Sequence, residues 1–511
     1  MKFITDQKYI FSLLVLGLFF RLLITSQGNF IFHMDSARDF VDVREMVELN
    51  KPRLTGPTSA IEGVYTGPAW YYLLAIPYII TGGNPYGGIL MEIVLWLIGG
   101  YFLLKISSGY GKLSTISSGL LWGFSPYIVL LTEYTFNPNP VTLLFPLWVY
   151  LLFQYLKTNR IFFSFLLFFL SGIFFNFEMN VGFLLPSVIL VSILIWDVKL
   201  LKSKNFWLGL IGFLICLLPQ IIFDLKHQNI MSKNLLNFLS QSSGVKTNYI
   251  IKFIGLLQNY TNQINATLFN QPLLTLAFKY LVVFLITKLI YTRTLKKDLY
   301  QLIIFSIFIT SLLVYLILPV TVNAWHLGFI VVSGIITISF LTSHIKPLAI
   351  VTPLFIAYFS LLAIVNFFQH DFNKLSTDQS NFKNETKVID YIYNKAGEKN
   401  FRVYTHIPSV YDYPYQYLFW WYGKNKYGFL PKEYTYLPDK PPYIPSQDKF
   451  QNNTAKPDSN LVFLIEELQN PKLLDLWLNN FNNYPILESV MVGPIKVETR
   501  LLPNQPFLSQ K

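Results

Sequence analysis

Two carboxylates four residues apart are the first candidates for chemistry. Asp35 and Asp39 stand in HMDSARDF, just beyond the first long apolar run of the chain. With Asp42 they fall at i, i+4 and i+7. A helix over residues 36–49 would place all three on one face and Phe40, Val43, Met46 and Val47 on another. Carboxylates at the mouth of an apolar bundle suit proton removal from a hydroxyl carried to the membrane surface. The same residues can also serve the backbone. Ser36 and Asp39 fit a capping box, and Arg38 can pair with Asp42 one turn on. His33 and Asp35 alone are too few ligands for a metal site.

Other polar residues interrupt the apolar pattern. Arg21 lies in the outer half of the first run, where it either snorkels or faces inward toward an anionic group or Asp35. The segment TEYTFNPNP sets Glu133 and Asn137 four apart. Glu178, in FNFEMN, has no cation near it in sequence. PQIIFDLKHQ closes another run with Asp224, Lys226 and His227, cations able to grip a lipid phosphate or simply to anchor the interface. His326, in NAWHLGF, starts a further run and reads first as an interfacial histidine. The aromatic stretch YDYPYQYLFWWYG (411–423) suits either stacking on sugar rings or docking onto the rest of the chain.

The elements that position these residues follow from composition. The 511-residue chain is 53% hydrophobic and only 13% charged, against about 25% charged in soluble domains. Repeated apolar runs of about 20 residues make it a polytopic α-helical membrane protein. Candidate spans cover 9–26, 87–105, 114–131, 140–156, 161–176, 180–196, 206–222, 272–291, 300–319, 324–342 and 347–367, about 11 in all. The first of these is followed by no A-x-A-like cleavage site, so it reads as an uncleaved span. The run 67–80 is short, aromatic and interrupted by proline, and predicts an interfacial or half-inserted helix.

Charge agrees with that count. One set of loops holds Lys105 and Lys112; Lys157 and Arg160; Lys199, Lys202 and Lys204; Arg293, Lys296 and Lys297; and Lys346. The alternate loops near 132–139, 177–179 and 320–323 hold no Lys or Arg. The positive-inside rule then places the N-terminus in the cytoplasm of a multi-pass cell-membrane protein, and it accounts for the net charge of +12 without a nucleic-acid partner. Asp35, Asp39, Glu133, Asn137, Glu178, Asp224 and His326 all gather at the outer surface. The lone Cys216 reads as a small buried hydrophobe. Residues 1–370 form the membrane module. Residues 371–511 turn polar and predict an extracytoplasmic α/β domain with strands in FRVYTHI, NLVFLIEE and ESVMVGPIKVETRLL, helices in NETKVIDYIYNKAG and PKLLDLWLNNF, and a loop near 431–460.

HMDSARDF, GPTSAIEGVYTGPAWYYLL and EYTFNPNP, in this topology, resemble the GT-C superfamily of membrane glycosyltransferases. The likeness is greatest to the group of protein O-mannosyltransferases and lipid A aminoarabinose transferases (glycosyltransferase family 39-like). The resemblance implies an acidic pair in the first outer loop, a polyprenyl-phosphate sugar donor and transfer with inversion. The chain departs from the group in two places. Its acids are four apart rather than adjacent, and the second outer loop offers Glu133 and Asn137 where an Asp is common.

The expected activity is therefore transfer of a sugar from a polyprenyl-phosphate donor to an acceptor (protein, lipid or glycan) at the outer face. Asp35 would act as base, with Asp39 or Glu133 positioning the base or acceptor. Arg21, Asn137, Glu178, Lys226, His227 and His326 are candidates for substrate contact. No cofactor is certain, and a Mg²⁺ or Mn²⁺ ion is the alternative source of positive charge at the leaving phosphate. Two rivals are a transporter or lipid flippase, which places its polar groups near the midplane and often in repeated halves, and a non-enzymatic receptor whose working part is the outer domain.

Overall fold

The computed structural model describes residues 2–242, 248–291, 298–319, 321–370, 372, 376–409, 411–438, 443–444, 446–450, 456–468 and 471–503. Arg293, Lys296 and Lys297, expected in one inner loop, lie outside the described residues. In chain order the helices of the first half are α1 (Lys2–Thr25), α2 (Met34–Glu48), α3 (Ala69–Thr81), α4 (Tyr86–Ser108), α5 (Lys112–Phe124), α6 (Pro126–Leu130), α7 (Asn139–Thr158), α8 (Ile161–Phe177), α9 (Met179–Trp196) and α10 (Lys204–Lys226). They are followed by α11 (Ile230–Ser242), α12 (Tyr249–Thr267), α13 (Pro272–Tyr291), α14 (Leu299–Ile317), α15 (Gly328–His344) and α16 (Lys346–His370).

Every expected span falls on helix, and among the described residues eight helices are long and apolar enough to cross a membrane. The span expected over 114–131 is not one helix. It breaks between α5 and α6 at Ser125–Pro126, where Pro126 takes the first turn of the new helix. α3 has 13 residues, about 20 Å of rise against a hydrocarbon core of about 30 Å. It ends on Gly82 at φ +61°, a left-handed cap that glycine adopts without penalty.

Close helix pairs meet at small residues. On the α8–α10 contact, a Cβ added to Gly209 would fall 2.1 Å from Ser164 Oγ, so backbones approach where side chains are absent. The loops sort to two ends, as the charge alternation requires. At one end Tyr110, following α4, donates to Asp298 at 2.9 Å, and Asn205 of α10 donates to the Asn159 carbonyl at 2.6 Å. At the other end sit the acid-bearing loops.

The C-terminal part holds α17 (Phe382–Ala396), β1 (Asn400–His406), α18 (Tyr413–Leu418), α19 (Lys424–Tyr427), β2 (Glu433–Thr435), β3 (Asp458–Glu466), α20 (Pro471–Leu478), β4 (Ile486–Val492) and β5 (Ile495–Leu501). The sheet order is β2-β1-β3-β5-β4. The β2-β1-β3 pairings are parallel, and β5 is antiparallel to both β3 and β4. Alternation along β3 sends Phe463 and Ile465 into the core shared with Val388, Ile389 and Ile392 of α17, and Val462 and Leu464 to the face covered by Trp477 and Phe481. The expected strand over ESVMVGPIKVETRLL is a hairpin, turning at Gly493 (φ +64°) and Pro494. β2 lies in the segment expected to be loop.

Candidate active site at the loop end of the bundle

The first inter-helix segment is pinned from both sides. The Ile31 amide donates to the Glu133 carbonyl at 2.8 Å, the Phe32 amide to the Ser380 carbonyl at 2.8 Å, and the Phe382 amide to the Phe30 carbonyl at 2.9 Å. Ile31 bridges Tyr134 on one side and Asn381 on the other. The loops bearing Asp35 and Glu133 therefore share one end of the bundle, with the C-terminal domain closed against them.

Helix α2 begins differently from the capping box. His33 is the cap, its Nδ1 accepting from the Ser36 amide at 3.1 Å, while Ser36 Oγ donates across to the Thr135 carbonyl at 2.7 Å. Asp39 is thereby released from capping. It is fully buried and accepts from Arg38 Nε at 3.0 Å, Arg38 Nη2 at 2.9 Å and the Trp70 indole at 2.7 Å. Burial pushes its carboxyl up to about 6, opposed by the Arg38 charge and the Trp70 hydrogen bond.

Arg38 also donates to Asp35 at 2.7 Å, so it pairs with Asp35 and Asp39 rather than with Asp42. Asp35 keeps 35% of its side chain exposed and is the accessible one of the two carboxylates that Arg38 pairs with. Asp42 instead accepts from Tyr71 at 2.6 Å and Arg53 at 3.0 Å. Arg53 reaches Glu45 as well, at 2.5 Å, and Tyr78 donates to Glu48 at 2.9 Å. Thus α3, the short helix, fastens to the acidic edge of α2 through Trp70, Tyr71 and Tyr78.

Glu133 is half-buried, its carbonyl holding Ile31 and its charge acting on Arg21. Asn137 donates to the Phe177 carbonyl at 2.6 Å. Glu178 caps α9 through the Asn180 amide at 3.2 Å and lies 3.7 Å from His326 Nε2, which also meets Asn180 at 3.1 Å. Burial raises the Glu178 carboxyl to about 7, against the Asn180 hydrogen bonds. Phe136 connects the two groups: its ring centroid is 5.8 Å from His33 and 6.0 Å from Trp325. Asp35, Glu133, Asn137, Glu178 and His326, scattered over nearly 300 residues of sequence, thus stand on loops tied together at one end of the bundle.

Arg21, Lys226 and His227 do not join them in the same way. Arg21 does face inward, within reach of the Glu133 charge, but its hydrogen bonds go to backbone. Its guanidinium donates to the carbonyls of Gly123 (2.8 Å), Trp122 (3.2 Å), Ile128 (3.3 Å) and Gly17 (3.3 Å) and lies 3.8 Å over the Trp96 ring. The Trp122 and Gly123 carbonyls are ones freed by the break at Ser125–Pro126, and Ile128 lies just beyond it, so Arg21 staples the broken helix. Lys226 and His227 are exposed at the end of α10, where His227 stacks on Phe223 at 4.0 Å.

One acid escaped the sequence reading. Glu92, inside α4, is fully buried; its Oε1 accepts from the Phe136 amide at 3.5 Å and its Oε2 has no partner among the described residues. A single Glu in an apolar run was the available signal. Among the described residues no three His, Cys, Asp or Glu side chains are gathered to hold a metal ion. Arg38 lies between Asp35 and Asp39 and pairs with both.

A family model for dolichyl-phosphate-mannose-protein mannosyltransferase matches residues 66–223. The match includes Glu133, Asn137 and Glu178 and leaves out α2. The solved structure of ArnT from Cupriavidus metallidurans bound to undecaprenyl phosphate superposes with a TM-score of 0.61 at 11% identity, over 96% of this chain and 97% of that one. The apo form of the same protein gives 0.59 at 10% identity, over 96% and 97%. The chain shares the fold of that structure along nearly its whole length. No curated protein matches it by sequence. The structural likeness extends through the helical bundle and the small C-terminal sheet domain alike.

Proposed function

We propose that this chain is an integral-membrane glycosyltransferase that moves a sugar from a polyprenyl-phosphate donor to an acceptor hydroxyl at the extracytoplasmic rim, with inversion. One observation carries the reading: a solvent-accessible Asp35 held against Arg38, whose other carboxylate partner, Asp39, is clamped by Trp70. The mannosyltransferase family match and the fold shared with ArnT support the reaction class.

In the reaction the acceptor O–H gives its proton to the Asp35 carboxylate as the acceptor oxygen bonds to the anomeric carbon. The bond from that carbon to the donor phosphate oxygen breaks, and the electron pair leaves with the phosphate. Attack opposite the leaving group inverts the centre. Asp39 acts as the positioning group, fixing Arg38. Arg38 supplies positive charge beside the base, and the exposed Lys226 and His227 would meet a lipid headgroup at the end of α10.

The test is transfer from polyprenyl-phosphate sugars by reconstituted full-length protein, with product mass analysis. Asp35→Asn should lower the rate about 100-fold or more. Near-normal transfer by folded Asp35→Asn would remove Asp35 as base. Substrate flux across liposomes without any covalent product would replace the transferase with a transporter.

A further inference from the structure

The aromatic stretch 411–423 divides into two groups with different environments. Tyr417 and Trp421 dock the domain on the membrane module, donating to the carbonyls of Gly83 at 2.6 Å and Gly82 at 2.9 Å. Trp420 lies 4.8 Å from the buried Arg44 guanidinium of α2. Tyr411 and Tyr413 take no part in this docking. With Tyr443 they make a corner of three rings, centroids 5.4 Å (Tyr411–Tyr443), 5.2 Å (Tyr413–Tyr443) and 5.9 Å (Tyr411–Tyr413) apart.

The corner is braced from behind. The Tyr443 hydroxyl donates to buried Asp412, which Gln416 also meets at 3.1 Å. The front is open: Tyr411 is 49% exposed. Among the described residues, the hydroxyls of Tyr411 and Tyr413 have no hydrogen-bond partner. The corner also adjoins the reactive edge. Tyr413 opens α18, which packs along α2, and it lies within electrostatic reach of Asp42 and Arg38.

Single exposed tyrosines are ordinary. Three rings set at angles, with the hydroxyls of Tyr411 and Tyr413 unpartnered among the described residues, near Asp42 and Arg38, present a particular chemistry. A pyranose ring offers C–H faces to aromatic rings and equatorial hydroxyls to phenolic groups. An acyl chain would use the rings and leave the hydroxyls unmet. We propose that Tyr411, Tyr413 and Tyr443 form a subsite for a sugar ring of a saccharide acceptor. This deepens and rests on the glycosyl-transfer reading, and it places the acceptor on the C-terminal domain side of Asp35.

The test uses full-length protein in detergent with three probes: chitotetraose, maltotetraose and a serine-containing peptide, each followed by saturation-transfer NMR. At least one saccharide should bind. Tyr411→Ala and Tyr413→Ala should each weaken it about threefold to tenfold, while Leu476→Ala, an exposed site on α20, leaves it unchanged. Saccharide binding that ignores both tyrosine variants overturns the subsite, as does binding of the peptide alone or of no probe. Donor transfer is measured in parallel. Tyrosine-insensitive binding with intact transfer removes the subsite and leaves the transferase. Tyrosine-sensitive binding without transfer from any donor does the reverse.

Discussion

Two regions of the molecule bury carboxylates completely, and they treat them in opposite ways. On α2, Asp39 has no exposed surface, yet Arg38 and the Trp70 indole saturate its oxygens, and its carboxyl rises only to about 6. In the C-terminal domain, Glu385 of α17 is equally buried, and neither of its oxygens has a hydrogen-bond partner among the described residues. Burial holds Glu385 well above the usual carboxylate range, reinforced by Glu467 and Asp378, and it raises Glu467 to about 8. The first site keeps a charge near neutral pH and uses it to aim an arginine. The second keeps its acids neutral as part of a packed seam. Burial alone does not mark a functional acid; the partner that keeps it ionised does.

Removing the cation should erase the contrast. Arg38→Leu leaves Asp39 buried without a counter-charge. Breaking a buried pair from one side costs about 3–5 kcal/mol. The variant should lose most of its thermal stability in detergent and any transfer activity. The double change Arg38→Leu with Asp39→Leu should recover much of the stability and none of the activity. Full stability in the single variant would show that the pair is not an energetic unit.

The next effect is smaller. Trp70→Phe keeps the ring and deletes the indole N–H. Hydrogen bonds to charged groups contribute about 1.5–3 kcal/mol, and with that bond gone Asp39 should hold its proton to higher pH. Protonated Asp39 no longer fixes Arg38 by charge, so transfer should fall as pH drops through about 6 in the wild type. In Trp70→Phe that acid limb should move upward. An acid limb at the same pH in both proteins would break the link between Asp39 and the rate.

Much of this arrangement was legible in the sequence. Apolar length and loop charge place the helices and the shortness of 67–80, and the acid-bearing loops do gather at one end. What could not be read was the choice of partner. Arg38 has Asp42 one turn away, yet it binds Asp35 and Asp39, because Tyr71 and Arg53 take Asp42. Asp39 is a capping candidate by spacing, yet His33 caps and Trp70, 31 residues on, claims it. Arg21 is a charged residue in a span whose purpose appears only when the helix break, over 100 residues later, supplies carbonyls. Local spacing permits several pairings, and tertiary packing selects among them. The proline in GFSPYIV was a local signal for the break, whereas no local signal announces that Glu385 and Glu467 meet.

The second region gives the smallest and most diagnostic test. Glu467 has a folded-state value raised to about 8, above the roughly 4.3 of an unfolded glutamate. A raised carboxyl binds its proton more tightly in the folded chain. Its stabilising contribution is therefore complete at low pH and is lost progressively as pH climbs from about 4 to about 8. Each pH unit in that window is worth up to about 1.4 kcal/mol. The wild type should show a melting temperature in detergent that falls between pH 5 and 8 and then levels. Glu467→Gln keeps the shape and cannot ionise, so its melting temperature should fall less, crossing from similar at pH 5 to higher at pH 8. Transfer activity should be nearly indifferent to this change, unlike the Asp39 limb. If the Gln variant reproduced the wild-type slope, the acids of the C-terminal domain would be ionised in the folded chain, and the division between a charged edge on α2 and a neutral seam beneath α17 would fail.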